Sequence, residues 1–262
     1  NDLINSETER QFMMSMSQYE GALSNKINLW RNEIVCLFSK LEALIDFSDE
    51  ELPLDLKETF KKKVLEILDE MKKTIKYSNY GVRIRNGFVI TIIGRPNVGK
   101  SSLINYLSDR KASIVTDEAG TTRDIIEVVM DFDGFPVILN DTAGIRSTKS
   151  EIEKIGIRMA LEKAETSDVI LVLSDNEDFS YPELRSKCKK ILVHTKSDLG
   201  VTSKKNIFNI SVKEDIGINN LIKVIVKYLK TLAPKEDLIL TKERHIVAVK
   251  KSIYALNDLL KY

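Results

Sequence analysis

Gly94-Arg95-Pro96-Asn97-Val98-Gly99-Lys100-Ser101 constrains this chain more than any other stretch. An apolar run, Phe88 to Ile93, leads into it, and Ser102-Leu103-Ile104-Asn105-Tyr106-Leu107 follows with a helical pattern. Strand, glycine loop and helix form the setting in which G-x-x-x-x-G-K-[ST] wraps a phosphate chain. The glycines let main-chain N–H groups turn inward toward oxygens. The N-terminus of the following helix adds the positive end of its dipole. The pattern sets Lys100 against the β- and γ-phosphates and the Ser101 hydroxyl against Mg²⁺.

The remaining composition limits the classes open to the chain. Its 262 residues suffice for one or two domains with a core, and 43% apolar with 30% charged residues is a soluble, globular balance. A net charge of +1 argues against a protein that coats nucleic acid. Cys36 and Cys188 both lie in apolar stretches and are expected to be buried, reduced thiols. No apolar run reaches membrane-spanning length and no signal peptide opens the chain, so a cytoplasmic location is expected. The chain opens on Asn1, not Met, and further residues are expected upstream.

Three segments follow from periodicity. Residues 1–85 read as helical, with a seam at Leu23, Ile27, Trp30, Ile34, Leu37, Leu41 and Leu44. After a loop at Asp46 to Pro53, a second seam runs Leu56, Phe60, Val64, Ile67, Met71, Ile75. Lys61-Lys62-Lys63 and Lys72-Lys73 project from this helix, read as a solvated face beside Glu66, Asp69 and Glu70, with RNA phosphate contact as the alternative. Residues 86–231 alternate strands and helices, which implies a parallel-rich α/β sheet. Its strands are Phe88–Ile93, Ile125–Phe132, Val137–Asn140, Val169–Leu173, Ile191–His194 and Ile207–Ile210, and its helices include Glu153–Ala164 and Ile218–Leu232. Asp133-Gly134 is a two-residue hairpin turn, so the second and third strands are expected to be antiparallel. Residues 232–262 return to helix after Pro234, with Ile246, Val249, Ile253, Leu256 and Leu260 in step. Such a helix needs partners. It is expected to dock on 1–85, making the α/β unit an insertion in a helical domain.

Further motifs follow the phosphate loop in order. Asp141-Thr142-Ala143-Gly144 ends a strand, where an Asp can hold Mg²⁺ through water and a glycine backbone can sense a γ-phosphate. Gly120-Thr121-Thr122-Arg123-Asp124 carries a threonine that can complete the Mg²⁺ shell only with the γ-phosphate present. In Thr195-Lys196-Ser197-Asp198 the Asp carboxylate can accept both N1–H and the exocyclic amine of guanine, which adenine cannot supply. Ser211-Val212-Lys213 follows the sixth strand and brings backbone N–H near the base. In this order the motifs read as a GTPase.

The set resembles translation-factor-class GTPases and, more narrowly, the MnmE (TrmE) family of tRNA wobble-uridine modification GTPases. The residues that carry the resemblance are Gly94 to Ser102, Ile114-Val115-Thr116-Asp117 leading into Gly120 to Asp124, and Asp141 to Arg146 with Ile152-Glu153-Lys154-Ile155-Gly156-Ile157. Leu44-Ile45-Asp46-Phe47-Ser48-Asp49-Glu50-Glu51 is similar to the acidic loop of that family's helical domain. The resemblance implies a Ras-like P-loop domain inserted in a discontinuous helical bundle. Implied nucleotide contacts are Asn97, Val98, Gly99, Lys100, Ser101 and Ser102; Thr116, Asp117, Glu118, Thr121 and Thr122; Asp141, Thr142, Ala143 and Gly144; and the two base motifs, Thr195 to Asp198 and Ser211 to Lys213. Mg²⁺ would take Ser101, Thr122 and Asp141. K⁺ would take Asn97, Thr116, Glu118 and Thr121. The resemblance also implies an upstream folate-binding, dimerising domain and a C-terminal Cys-containing tail, neither carried by these residues. The implied partners are tRNA, an MnmG-like flavoprotein and a second copy, which meets this one transiently through the G domains.

Ras-like enzymes orient the attacking water with a Gln, but Ile145 follows Asp-Thr-Ala-Gly here. By resemblance Glu153 takes that role, and K⁺ supplies the charge an arginine finger brings elsewhere; Arg123 and Arg146 are the rival groups. Two residues depart from the family pattern. Thr195 stands where Asn is usual, and its shorter side chain is expected to lose both the contact to guanine N7 and the tie to the phosphate loop. Val212 stands where Ala is usual and is expected to crowd the base edge. His194 and His245 read as packing or surface residues. The alternatives are a Der- or Era-like ribosome-assembly GTPase and a nucleotide-gated interaction module with little turnover.

Overall fold

The computed structural model describes residues 2–46, 56–111, 129–141, 166–176, 178–179, 188–233 and 240–261. Its elements in chain order are α1 Glu9–Tyr19, α2 Ala22–Asp46, α3 Leu56–Lys76, α4 Ser78–Asn86, β1 Phe88–Gly94, α5 Lys100–Lys111, β2 Val129–Phe132, β3 Phe135–Asp141, β4 Val169–Ser174, β5 Lys189–His194, β6 Ile207–Asn209, α6 Ile218–Leu232 and α7 Glu243–Leu259. They fall into two compact units. One comprises Asn1–Ile4, Phe12–Arg85 and Ala233–Tyr262, and the other Asn5–Gln11 and Asn86–Leu232.

The second unit is an α/β sheet of six strands in the order β2-β3-β1-β4-β5-β6. β1 and β4 are apolar along almost their whole length because both faces of a central strand are covered. β1 runs parallel to β3 and to β4, β4 parallel to β5, and β5 parallel to β6. Among the described strands only β2 is antiparallel to its neighbour, with Phe132 opposite Phe135. Asp133 and Gly134 join them at φ 57° and 85°, the left-handed pair that a two-residue turn needs to follow strand twist. Gly134 N–H donates to the Asp131 carboxylate at 2.6 Å, which locks the turn. The expected start of β2 at Ile125 and the expected helix at Glu153–Ala164 lie outside the described residues. α6 buries Ile218, Leu221, Ile225, Val226 and Leu229, one stripe of an amphipathic helix.

The first unit is helical. Its core joins Trp30 and Leu37 of α2 with Val64, Ile67, Leu68 and Met71 of α3, and with Leu240, Ile246, Val249 and Leu256 at the end of the chain. α7 therefore packs on helices that precede the sheet, and the α/β unit is an insertion. Gly81 in α4 allows the Leu240 carbonyl to come close, since a Cβ there would stand 2.4 Å from its oxygen. Trp30 Nε1 and Lys26 Nζ both donate to the Glu70 carboxylate, at 3.1 and 2.6 Å, pinning α2 to α3 and holding that carboxyl below its ordinary range.

Two expectations fail here. Ile27 is 40% exposed and does not belong to the seam; Val35 and Phe38 likewise face outward. Cys36 is exposed and Cys188 half-buried, so neither is a fully buried thiol. Ile27 and Cys36 share a cause: α2 carries apolar residues on more than one face, and periodicity alone does not say which face meets α3. Cys188 stands just before β5 and packs against the Ile93, Ile170 and Val172 cluster without being fully covered.

Candidate functional site

The carboxyl ends of the parallel strands share one edge. Register sets Gly94 beside Leu173, Ile92 beside Asp141, Ser174 beside His194, and His194 beside Asn209. The strand order reverses at β1, which has β3 on one side and β4 on the other. Open α/β sheets bind ligands in the crevice at such a reversal.

Gly94 ends β1 and begins the loop. A Cβ on it would stand 2.5 Å from the Leu173 carbonyl oxygen, so only hydrogen fits against β4. Asn97 and Gly99 take φ of 59° and 96°. Asn is one of the few residues with a side chain that tolerate this region. Val98 between them is 1% exposed and anchors the loop in the core. Lys100 folds back over the loop, and its Nζ donates to the carbonyls of Gly94 and Arg95, both at 2.7 Å. The ammonium thereby closes the loop into a ring, and phosphate oxygens arriving there would compete with neutral carbonyls for it. Leu103 N–H to the Gly99 carbonyl, at 3.0 Å, closes the first turn of α5. Ser101 and Ser102 are exposed in that turn.

The base motifs stand at the ends of β5 and β6. Asp198 accepts the Ser211 hydroxyl at 2.6 Å. That bond, with main-chain help, holds its carboxyl below the ordinary 3.8 and keeps it ionised. Ser211 N–H donates to Ile216 at 3.0 Å, so its main-chain donor is already engaged. The part Ser211 plays is through its hydroxyl on Asp198, and a base-facing amide would come from Val212 or Lys213. Lys196 sits at φ 54° with its Nζ on Asp175 at 2.7 Å, which holds the Asp175 carboxyl low.

Thr195 overturns an expectation. Its hydroxyl donates to the Val98 carbonyl at 2.7 Å, so the tie between base motif and phosphate loop is kept. Sequence reasoning took the shorter side chain as too short; Val98 in the loop after β1 lies near enough to the end of β5 for the hydroxyl to reach its carbonyl.

Other contacts hold the rims and were not foreseen. Tyr106 OH on α5 donates to Asp215, and Arg110 Nη2 pairs with the same carboxylate at 3.1 Å. Asp215 lies in the turn after Ser211, at φ 55°. Arg95 pairs with Asp178 beyond β4. The spacing of Tyr106 and Arg110, one turn apart on α5, was readable, but their partner was not.

Comparison with known proteins bears on this arrangement. The family model described as the MnmE helical domain matches residues 1–262. The chain belongs to the MnmE helical-domain family. A tRNA modification GTPase MnmE from Dinoroseobacter shibae is 40% identical over 99% of this chain and 59% of its own length. One from Pelagibacter ubique is 44% identical over 76% of this chain and 45% of its own length. The chain thus spans about three fifths of the longer match among these relatives. Among solved structures, the G domain of the T. maritima FeoB iron transporter matches 54% of this chain and 98% of its own at 28% identity, with a TM-score of 0.40.

Measured against the family resemblance, the described residues bring together Asn97 to Ser102, the end of β3 at Asp141, Thr195 to Asp198 and Ser211 to Lys213 at one edge of the sheet. Thr116, Asp117, Glu118, Thr121, Thr122, Thr142, Ala143, Gly144 and Glu153 lie outside the described residues, as do Arg123 and Arg146. The hard-oxygen donors suit Mg²⁺: the Ser101 hydroxyl is exposed in the first turn of α5, and Asp141 ends the strand beside β1. For K⁺ the fit rests on Asn97, whose exposed amide oxygen is a hard donor in the loop. Among the described residues no helix is long and apolar enough to cross a membrane.

Proposed function

We propose that this chain binds GTP and hydrolyses it to GDP, as part of a cytoplasmic enzyme that modifies the wobble uridine of tRNA. The observation that supports this best is the continuity of the site. The loop closed by Lys100 is tied through Val98 and Thr195 to the strand end that carries Asp198 and Ser211. A phosphate cradle joined to a guanine-reading carboxylate is what selective use of GTP requires. The tie through Thr195 also weighs against reading that residue as decay in a protein that only binds nucleotide.

In this reading residues 86–231 are the G domain, and 1–85 with 232–262 form the helical domain. Lys100 and the loop amides hold the β- and γ-phosphates. Ser101, Thr122 and Asp141 hold Mg²⁺, which supplies charge neutralisation at the phosphates when bound. Asn97, Thr116, Glu118 and Thr121 hold K⁺, which supplies the positive charge an arginine finger brings elsewhere, an effect of roughly 10³–10⁵ in rate. Glu153 orients and polarises the attacking water in place of the usual Gln. Thr142, Ala143 and Gly144, with Asp117 in the first switch, sense the γ-phosphate. In this reading tRNA, an MnmG-like flavoprotein, folate-dependent chemistry on the tRNA base and a stable dimer contact belong to the whole enzyme, and no residue of this chain is assigned to them. Two G domains meet face to face during turnover.

Single-turnover GTP hydrolysis at high protein concentration tests this. Turnover is expected to fall when KCl is exchanged for NaCl at equal ionic strength; equal rates in the two salts would remove the K⁺ assignment. Glu153→Ala is expected to keep GTP affinity while lowering kcat about a hundredfold or more. Near-normal turnover in that variant would rule out its role.

A further inference from the structure

Thr195 is a buried polar residue, 4% exposed, at the point where base motif and phosphate loop meet. Its hydroxyl oxygen stands 2.7 Å from the Val98 carbonyl and 3.2 Å from the Ser174 carbonyl. Its own N–H donates to Ser174 at 2.8 Å, which fixes the backbone beneath it. A hydroxyl carries one proton, whereas an Asn amide at the same place carries two. An Asn could serve a loop carbonyl and a base acceptor together. Thr195 can serve only main-chain oxygens, and both lie within reach. Its neighbour Lys196 is drawn to Asp175 and is not positioned as a substitute.

Guanine offers two acceptors on its major-groove edge, N7 and O6, and two donors on its Watson–Crick side, N1–H and the 2-amine. The donors match the Asp198 carboxylate. N7 needs a donor that residue 195 does not have to spare. We propose that this chain recognises guanine without a hydrogen bond from residue 195 to N7, and that Thr195 acts as a positioning clamp between the base motif and the phosphate loop. This rests on the guanine-nucleotide reading above. It assigns specificity to Asp198 and its partner Ser211, and assigns to Thr195 the alignment of Val98, the residue between Asn97 and Gly99.

The test is competitive binding of GDP, 7-deaza-GDP and ADP to the whole chain in Mg²⁺-containing buffer. In 7-deaza-GDP a C–H replaces N7, and the Watson–Crick edge is untouched. GDP and 7-deaza-GDP are expected to bind within twofold of each other, with ADP at least a hundredfold weaker. Thr195→Asn is expected to open a gap of about five- to tenfold in favour of GDP over 7-deaza-GDP, the effect of one recovered hydrogen bond. A merely structural residue would move both ligands together and leave their ratio at one. A fivefold or larger preference for GDP in the unmodified chain would overturn the proposal without needing any variant. A ratio still at one in a folded Thr195→Asn chain would overturn it too. A chain that binds none of the three, or binds ADP as well as GDP, would overturn the guanine reading itself and this inference with it.

Discussion

In the proposed reading Asp198 selects guanine, and its charge state follows first from one neighbour. The Ser211 hydroxyl donates to it at 2.6 Å and holds its carboxyl below the ordinary 3.8. The sign is that of a depressed carboxyl: the ionised form, and whatever depends on it, is fully present above 3.8 and lost only as pH falls through the lower folded value. Guanine preference is therefore expected to hold unchanged from pH 8 to about pH 5. Asp198→Asn replaces two acceptor lone-pair sites with a donor that faces the 2-amine. GDP affinity is expected to fall about 10- to 100-fold, while xanthosine diphosphate, with a carbonyl at C2, gains; unchanged discrimination between the two would remove Asp198 from the base site. At this scale the sequence located the loop that Lys100 closes on the Gly94 and Arg95 carbonyls. It misled at Thr195, because side-chain length was judged without knowing how near the loop carbonyl of Val98 lies to the hydroxyl. For Ser211-Val212-Lys213 it pointed to main-chain N–H groups and did not foresee the Ser211 hydroxyl on Asp198.

Elements were legible where one face alone is apolar or where both are. β1 and β4 are continuous apolar runs and fall where expected, and α6 spans Ile218–Leu232 as its stripe implied. α3 presents one seam, with Val64, Ile67 and Met71 buried. Leu68, also buried at 1%, stands four residues after Val64 and three before Met71, so the spacing fits Ile67 and Leu68 equally well and the seam is wider than the one row read from it. α2 carries Trp30 and Leu37 on its inner side and Val35 and Phe38 on its outer side, and only packing separates the two. Leu68 belongs to the buried cluster that joins residues of α2, α3 and α7 in the helical unit. Leu68→Ala is expected to destabilise that unit by about 2–4 kcal/mol in urea unfolding, while GDP affinity stays the same. A loss of less than about 0.5 kcal/mol would contradict the placement of Leu68 in a shared core.

The whole chain is a helical unit interrupted by an α/β unit, and an orphaned seam gave this away. Ile246, Val249 and Leu256 have no sequence-local partner, and they find theirs on α3, whose last residue lies before the sheet begins. The inserted unit brings the loop closed by Lys100, Thr195 and Asp198 to one edge of its sheet, and the curated relatives of the chain carry the name tRNA modification GTPase. Glu153, to which the proposed reading gives the attacking water, lies outside the described residues. The most direct measurement is the identity of the nucleotide that the purified chain retains after equilibration with equal GTP and ATP in Mg²⁺- and K⁺-containing buffer. Guanine nucleotide alone is the expected result, abolished by Lys100→Ala; an empty chain, or one that holds both nucleotides equally, would contradict the account.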